Sequence, residues 1–285
     1  LSDMAYRAAF SRHPYRFSAG GTTQNIEKLL GATVRSYHRA RYVGRNISVI
    51  VAGDVNATAA HALVAQNFSV ASKAAPPPLA ISPEAAPLVR KTQFRKLNAQ
   101  RSATAIAFRA PGIDAPRDVV ALDVLLSHLS EGPNSALRRA LSPRDASGRD
   151  SSPQNSGDAS TQNARSLALA FYAEYLTQRD PGLFIITLIT EPEDRAAATR
   201  ATLGEIAQIR RSGISARALA EAKRDLNRQY TAQGETPTGQ AGALGFYEMI
   251  SDYNFAVTYL SRVNSITVAD IRRVAEGGVT TLTAV

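Results

Sequence analysis

The sequence predicts an α+β fold built as two domains on one plan, and three observations carry that expectation. Near the front, a helix-like stretch from Thr23 to Arg41 leads into the β-branched run Asn46 to Val55, which ends in the turn signal Gly53-Asp54 and opens a helix after Asn56. Near the back, Thr267 to Ala275 followed by a β-rich stretch repeats the same order. Between them, residues 71–89 hold Pro76-Pro77-Pro78, Pro83 and Pro87 among Ala and Ser, which reads as an extended linker. The expected division is 1–75 as the end of a first domain, 76–89 as linker and 90–285 as a second domain.

Residues 1–12 read as the end of a helix, with Met4, Ala8 and Ala9 apolar between Arg7 and Arg12. His13 must leave the helix, because the ring of Pro14 disfavours helical backbone in the residue before it. Gly20-Gly21 is a loop, and Thr22 or Thr23 can cap the next helix. Ile26, Leu29, Leu30, Val34 and Tyr37 fall on one face at helical spacing. In the run that follows, Ile47, Val49 and Val51 alternate with Ser48, Ile50 and Ala52, so both faces are largely apolar, as a covered strand requires. Ala59 to Phe68 then predicts a helix that buries Ala60, Leu63, Val64 and Phe68.

In the second domain, Ala103 to Phe108 is a strand ended by Ala110-Pro111-Gly112. A helix follows to about Ser130, with Val120, Leu122, Val124, Leu125, Leu126 and Leu129 mostly inward. Gly132-Pro133 breaks it, and Ser135 to Leu141 forms a short helix. Residues 142–165 are filled by Ser, Asp, Gly, Asn, Gln, Arg and Pro, which cannot bury enough surface to offset the entropy of ordering, so a mobile loop is expected. Leu167–Leu176 and Gly182–Thr190 form a hairpin through Gln178-Arg179-Asp180-Pro181. Helices are expected over Glu191–Arg211, with Pro192 in the first turn and Gly213 past the end, then from Ser215 to about Gln233, Pro237–Ile250, Asn254–Val263 and Thr267–Glu276. Val279–Val285 is the final strand.

Apolar residues make up 44% of the 285, enough for ordinary cores, and no apolar run reaches the length of a membrane span. The first residues have neither the basic nor the apolar region of a signal peptide, and a helical pattern is already under way at Leu1, which reads as the interior of a longer chain. The absence of cysteine excludes disulfides and thiolate chemistry. It leaves the compartment open, with a bacterial periplasm compatible. Of the net charge of +9, residues 1–75 carry +6. No nucleic-acid motif accompanies that charge, so it is read as a solvated arginine-rich surface rather than a nucleic-acid site. There is no phosphate-binding loop, dinucleotide fingerprint, nucleophile elbow or EF-hand loop.

The ordered set His13-Pro14-Tyr15, Gly20-Gly21, the helix from Gln24 to Arg39, Tyr42, Asn46, Gly53-Asp54-Val55 and Phe68 resembles the insulinase/pitrilysin family of zinc metallopeptidases, which includes the mitochondrial processing peptidases. Further along, Pro111-Gly112, Asp118, Gly132 with Ser135 and Leu137, Asp180-Pro181-Gly182-Leu183-Phe184, Gly213-Ile214-Ser215 and Glu221-Ala222-Lys223 continue the likeness in order. The resemblance implies two homologous domains, each an antiparallel sheet with helices on one face, the first incomplete here. It implies a zinc endopeptidase that cleaves extended peptides in a chamber closed by two halves, and a homologous subunit as partner in a homo- or heterodimer.

The family's zinc ligands come from His-x-x-Glu-His and a later Glu, all upstream of the His-Pro-Tyr stretch, so the resemblance puts them before Leu1. This chain offers only His13, His38, His61 and His128, none paired at that spacing. His128-Leu129-Ser130-Glu131 matches four positions, but Gly132 stands where the second His belongs. The expectation is that residues 1–285 hold no zinc and cleave nothing alone. The family's second domain also supplies an Arg and a Tyr that grip the substrate backbone. The alignment puts Ser142 and Leu169 at those positions, and Arg144 and Tyr172 are the nearest residues of the right type. A non-catalytic partner or structural subunit of the same fold that binds protein is therefore the alternative expectation.

Overall fold

A computed structural model describes residues 1–84, 91–96, 98–142, 166–277 and 282–284. Its frame is a five-stranded sheet of β1 (Lys91–Gln93), β2 (Ser102–Arg109), β3 (Ala170–Tyr175), β4 (Leu183–Thr190) and β5 (Leu282–Ala284), in the order β1-β5-β2-β4-β3. The sheet is antiparallel except at β1–β5, where the pairing is parallel. The short strand β1 carries no alternating apolar pattern, which is why the sequence reading passed over it.

Among the described residues, seven helices make up the layer on one face: α5 (Pro116–Ser130), α6 (Ala136–Leu141), α7 (Arg195–Ser212), α8 (Ala216–Gln233), α9 (Pro237–Ile250), α10 (Asn254–Ser265) and α11 (Val268–Gly277). Strand pleating alternates side chains between faces. Ile106, Phe108, Phe184, Ile186 and Leu188 therefore enter this helical core with Val120, Leu125, Leu129 and Leu137. Ala105, Ala107, Leu183 and Ile185 point the other way, where the helix α1 (Ser2–Ala9) covers them with Ala5, Ala9 and Phe10. The small residues Ala105 and Ala107 let α1 lie close. So helices occupy both faces, with the main layer on one and α1 on the other.

Local signals account for the element ends. Ser215 Oγ accepts from Ala218 N at 3.1 Å to cap α8, and Thr236 Oγ1 accepts from Gly239 N at 3.0 Å to cap α9. Gly213 ends α7 at φ +69°, where a side chain would be strained. The start of α7 falls at Arg195, later than the expected Glu191, so Pro192 stands in the preceding turn rather than in the helix.

The helix α11 is fixed to α5 through Asp270. Its carboxylate receives both Nε and Nη2 of Arg117 at 2.7 Å, Nη2 of Arg273 at 2.8 Å, and the amide and hydroxyl of Thr267 at 2.9 and 2.7 Å. The hydrogen bonds from Arg117 lead in holding its pKa at about 2; burial opposes them, and the Thr267 donors reinforce them. Asp270 N donates back to Thr267 Oγ1, completing a reciprocal capping box.

The segment before β1 differs most from expectation. The predicted helix 23–41 is broken at Lys28–Leu30 into α2 (Thr23–Glu27), capped by Thr22 Oγ1, and α3 (Gly31–Arg41). The run 47–52 is not a strand, and Val51 is 50% exposed. The helix α4 (Ala57–Asn67) forms, with Asn56 Oδ1 accepting from Ala59 N, yet Leu63 is 59% exposed and Leu30 is 68% exposed. Among the described residues no strand pairs with 47–52, whose neighbour is the helix α9, near Ile50 and Ser48, and Leu30, Val51 and Leu63 stay largely uncovered.

From Ser72 to Glu84 the chain has no regular secondary structure, and Glu84 pins it. Burial raises the pKa of this carboxyl, but bonds from Ser11 Oγ at 2.6 Å, His13 N at 2.9 Å and Arg12 N at 2.7 Å outweigh that and hold it at about 2. Glu84→Ala is expected to lower stability by about 1–2 kcal/mol through the lost charge-assisted bonds. Because the folded pKa lies below the ordinary value, this contribution is present above pH ~4.5 and fades as pH falls toward ~2. Urea midpoints at pH 7 and pH 3 check it; an unchanged midpoint at pH 7 would show that Glu84 does not tie the segment down.

Candidate functional site

Strand β3 forms one edge of the sheet. Its inner side pairs with β4, and among the described residues no strand lies on its outer side. Phe171, Ala173 and Tyr175 pack toward the helical core, while Tyr172 and Glu174 project to the opposite face. Tyr172 is 60% exposed, and Glu174 accepts from Ser2 Oγ at 2.9 Å. Leu169, just before the strand, is also exposed, and its amide bonds Ile189 O at 2.8 Å. Ser142 closes α6 by donating its amide to Arg138 O at 2.9 Å. Arg144 and the rest of the expected loop, 143–165, lie outside the described residues. The edge thus offers unpaired backbone groups flanked by one aromatic side chain.

The histidines do not converge. His13 is buried; its Nδ1 accepts from Tyr15 N at 3.2 Å, its ring packs on Tyr15 and Phe10, and its Nε2 lies 3.4 Å from Asp180. His38 stacks on Tyr42, and His61 is exposed on α4. On α5, burial foremost and then the nearby Arg139 push His128 down to about 4, against a weaker pull from Glu221, so it is neutral at pH 7. It lines a polar recess of about 260 Å³ with Ser127, Glu131, Ser135 and Glu221. No group of three or more His, Cys, Asp or Glu able to hold a metal is found among the described residues. The donor set does not fit zinc, because its imidazoles are dispersed and His13 Nδ1 is already committed to the backbone.

Two titratable residues carry weight that the sequence reading did not assign. Asp123 lies on the core side of α5, where Tyr259 Oη donates to its Oδ2 at 2.8 Å. Burial raises its pKa to about 7, against the lowering effect of that bond, and Tyr175 and Tyr247 lie within range of its charge. The signal available was an acid placed inside the apolar run Val119–Leu126. The other is Asp270, whose spacing from Thr267 is that of a capping box and was legible as such.

The matched family profile is described as "Peptidase M16 inactive domain" and covers residues 31–226. Among curated proteins, a Helicobacter pylori protein named zinc protease PqqE is 22% identical over 275 residues, which is 95% of this chain and 57% of that protein. A solved Helicobacter pylori protease superposes with a TM-score of 0.81 at 19% identity, covering 100% of this chain and 65% of its own. A solved peptidase M16 inactive domain from Pseudomonas fluorescens gives 0.79 at 19% identity, covering 99% of this chain and 64% of its own. At these identities the structural matches speak to the fold. This chain spans between 57% and 65% of the length of those relatives.

Proposed function

The chain belongs to the peptidase M16 inactive-domain family, and from that premise we propose that it is the non-catalytic, substrate-enclosing portion of a zinc endopeptidase. The observation that carries this reading is the open edge of β3, beside Tyr172, in a chain whose histidines are dispersed. An extended peptide can add to such an edge as one more strand, its main chain hydrogen-bonded and alternate side chains contacting the sheet faces. In this reading residues 1–75 complete a first domain with sequence outside this chain, residues 76–89 link it to the second domain at 90–285, and a homologous subunit is the partner. The exposed faces of Leu30, Val51 and Leu63 support the first of these assignments, since they are apolar side chains half or more exposed among the described residues. Zinc would be held by residues outside this chain, and no step here depends on it.

A second reading stays open beside it. The alignment that the family resemblance implies puts Leu169 and Ser142 where relatives carry Tyr and Arg, and a chain without that pair fits a zinc-carrying subunit and a subunit that only binds protein equally well. Sequencing the full-length protein for His-x-x-Glu-His, with zinc content and peptide hydrolysis measured on the same preparation, decides between them. With the motif present, residues 1–285 expressed alone are expected to hold less than stoichiometric zinc and to show no turnover, while the full-length protein has both. In the full-length protein Tyr172→Ala is expected to raise KM about tenfold with kcat within about twofold, as loss of uniform binding does. Hydrolysis by residues 1–285 alone would overturn the reading. A full-length protein lacking the motif and inactive would establish the second.

A further inference from the structure

The register of β3 puts two chemically distinct side chains beside its open edge. Tyr172 lies opposite Thr187 and Glu174 lies opposite Ile185. Directly opposed residues share a face, and Ile185 belongs to the cluster under α1. Tyr172 and Glu174 therefore stand on the α1 face, two residues apart, at the rim of the sheet. Both residues are exposed. Among the described residues the Glu174 carboxylate accepts from Ser2 Oγ at 2.9 Å and pairs with no cation. Arg138 does not serve it. That guanidinium lies 5.9 Å from the ring centroid of Phe171, which packs on the helical side of the sheet.

A strand added beyond β3 sets one of its residues directly beside Glu174, with roughly 5 Å between Cβ atoms, and Tyr172 lies on the diagonal at roughly 7–8 Å. A long cationic side chain at that place meets the carboxylate across the gap and reaches the face of the Tyr172 ring. A neutral side chain has only the ring to meet, and an acid faces a like charge. Resting on the β3 edge as the peptide-binding edge, we propose that Glu174 and Tyr172 together select peptides that carry arginine or lysine opposite Glu174. Both contacts are solvated, so the selectivity is modest, about fivefold over a neutral side chain of similar length.

The test is fluorescence anisotropy of labelled short Thr/Val peptides on the full-length protein, differing only in a central arginine, lysine, norleucine or glutamate. The uniform flanks let each peptide slide until its central residue finds its best place. The arginine and lysine peptides are expected to bind about fivefold more tightly than the norleucine peptide, with glutamate weakest, and the preference shrinks at high salt. Glu174→Gln, which keeps an oxygen for Ser2 Oγ, is expected to bring arginine and lysine to within about twofold of norleucine. Glu174→Lys is expected to put the glutamate peptide first. N-methylation of every second residue of the arginine peptide, made in both settings, is expected to abolish binding in one of them, because a strand turns the backbone groups of alternate residues toward each neighbour. If both methylated peptides bind as well as their parent, or no peptide binds, the edge is not the peptide site and that reading falls together with the selectivity. If methylation abolishes binding but arginine, lysine and norleucine bind alike, or the preference survives Glu174→Gln, the edge reading stands and the selectivity is overturned.

Discussion

Asp123→Asn is expected to make the protein more stable than the parent at pH 8 and about equal to it at pH 4. The carboxyl titrates at about 7 in the folded protein, because burial in α5 disfavours its charge. In the unfolded chain it titrates near the ordinary Asp value of roughly 3.9. A raised acid binds its proton more tightly when folded. The folded state therefore holds more protons than the unfolded state between those two values, and stability falls as pH rises through that window. A shift of about three units corresponds to roughly 4 kcal/mol, a ceiling because Asp123 keeps some contact with solvent. Asparagine has no charge to bury and still offers an oxygen to Tyr259 Oη. Urea denaturation of both proteins at pH 4, 5.5, 7 and 8 gives the difference curve. A difference that grows through the window and levels off above pH ~7 supports the assignment. Parallel curves would mean that Asp123 ionises freely in the folded protein.

Asp270→Ala is expected to lower stability by roughly 2–3 kcal/mol at pH 7, less than for a fully buried pair because the arginines are partly solvated. Five donors lose one acceptor at once: two on Arg117, one on Arg273, and the amide and hydroxyl of Thr267. Asp270→Asn should recover part of the loss, since it keeps an oxygen for Thr267 but not the charge for the two arginines. The sign with pH is opposite to that of Asp123. With its folded pKa depressed to about 2, Asp270 contributes fully above the ordinary Asp range and loses that contribution as pH falls toward 2. Denaturant midpoints at pH 7 and pH 3 should show the alanine variant approaching the parent in acid. A constant deficit at both would make the effect one of packing rather than charge.

Neither of these acids was assigned from the sequence, which was legible where a few neighbouring residues set the outcome. The hairpin of Leu167–Leu176 and Gly182–Thr190, the helix ends at Gly213 and Ser215, and the breaks around Gly132 were legible because each is set by a few neighbouring residues. Residues 47–52 were read as a covered strand on their β-branched alternation, and the chain there forms no strand. Alternation reports that a segment suits a sheet, while pairing requires a partner strand that the described residues do not supply. The apolar stripe on Ile26, Leu29, Leu30, Val34 and Tyr37 fails in the same way. The site was less legible than the fold. Tyr172 could be placed on a strand but not on an edge, because edge position depends on which strands pair.

The order β1-β5-β2-β4-β3 also sets a timetable for the growing chain. Hairpin β3–β4 and its pairing with β2 can form once Thr190 has left the ribosome. Among the described residues, strand β1, made before any of them, has β5 as its one neighbour in the sheet, and β5 follows the other four strands along the chain. One edge of β2 stays open and β1 stays unpaired throughout translation of α7 to α11. Pairings so distant in sequence close slowly and leave a bare strand edge in the meantime. A chain stalled before Leu282 should therefore be held by holdase chaperones or recruit a second nascent chain at β2, whereas release of β5 ends that exposure in a single step.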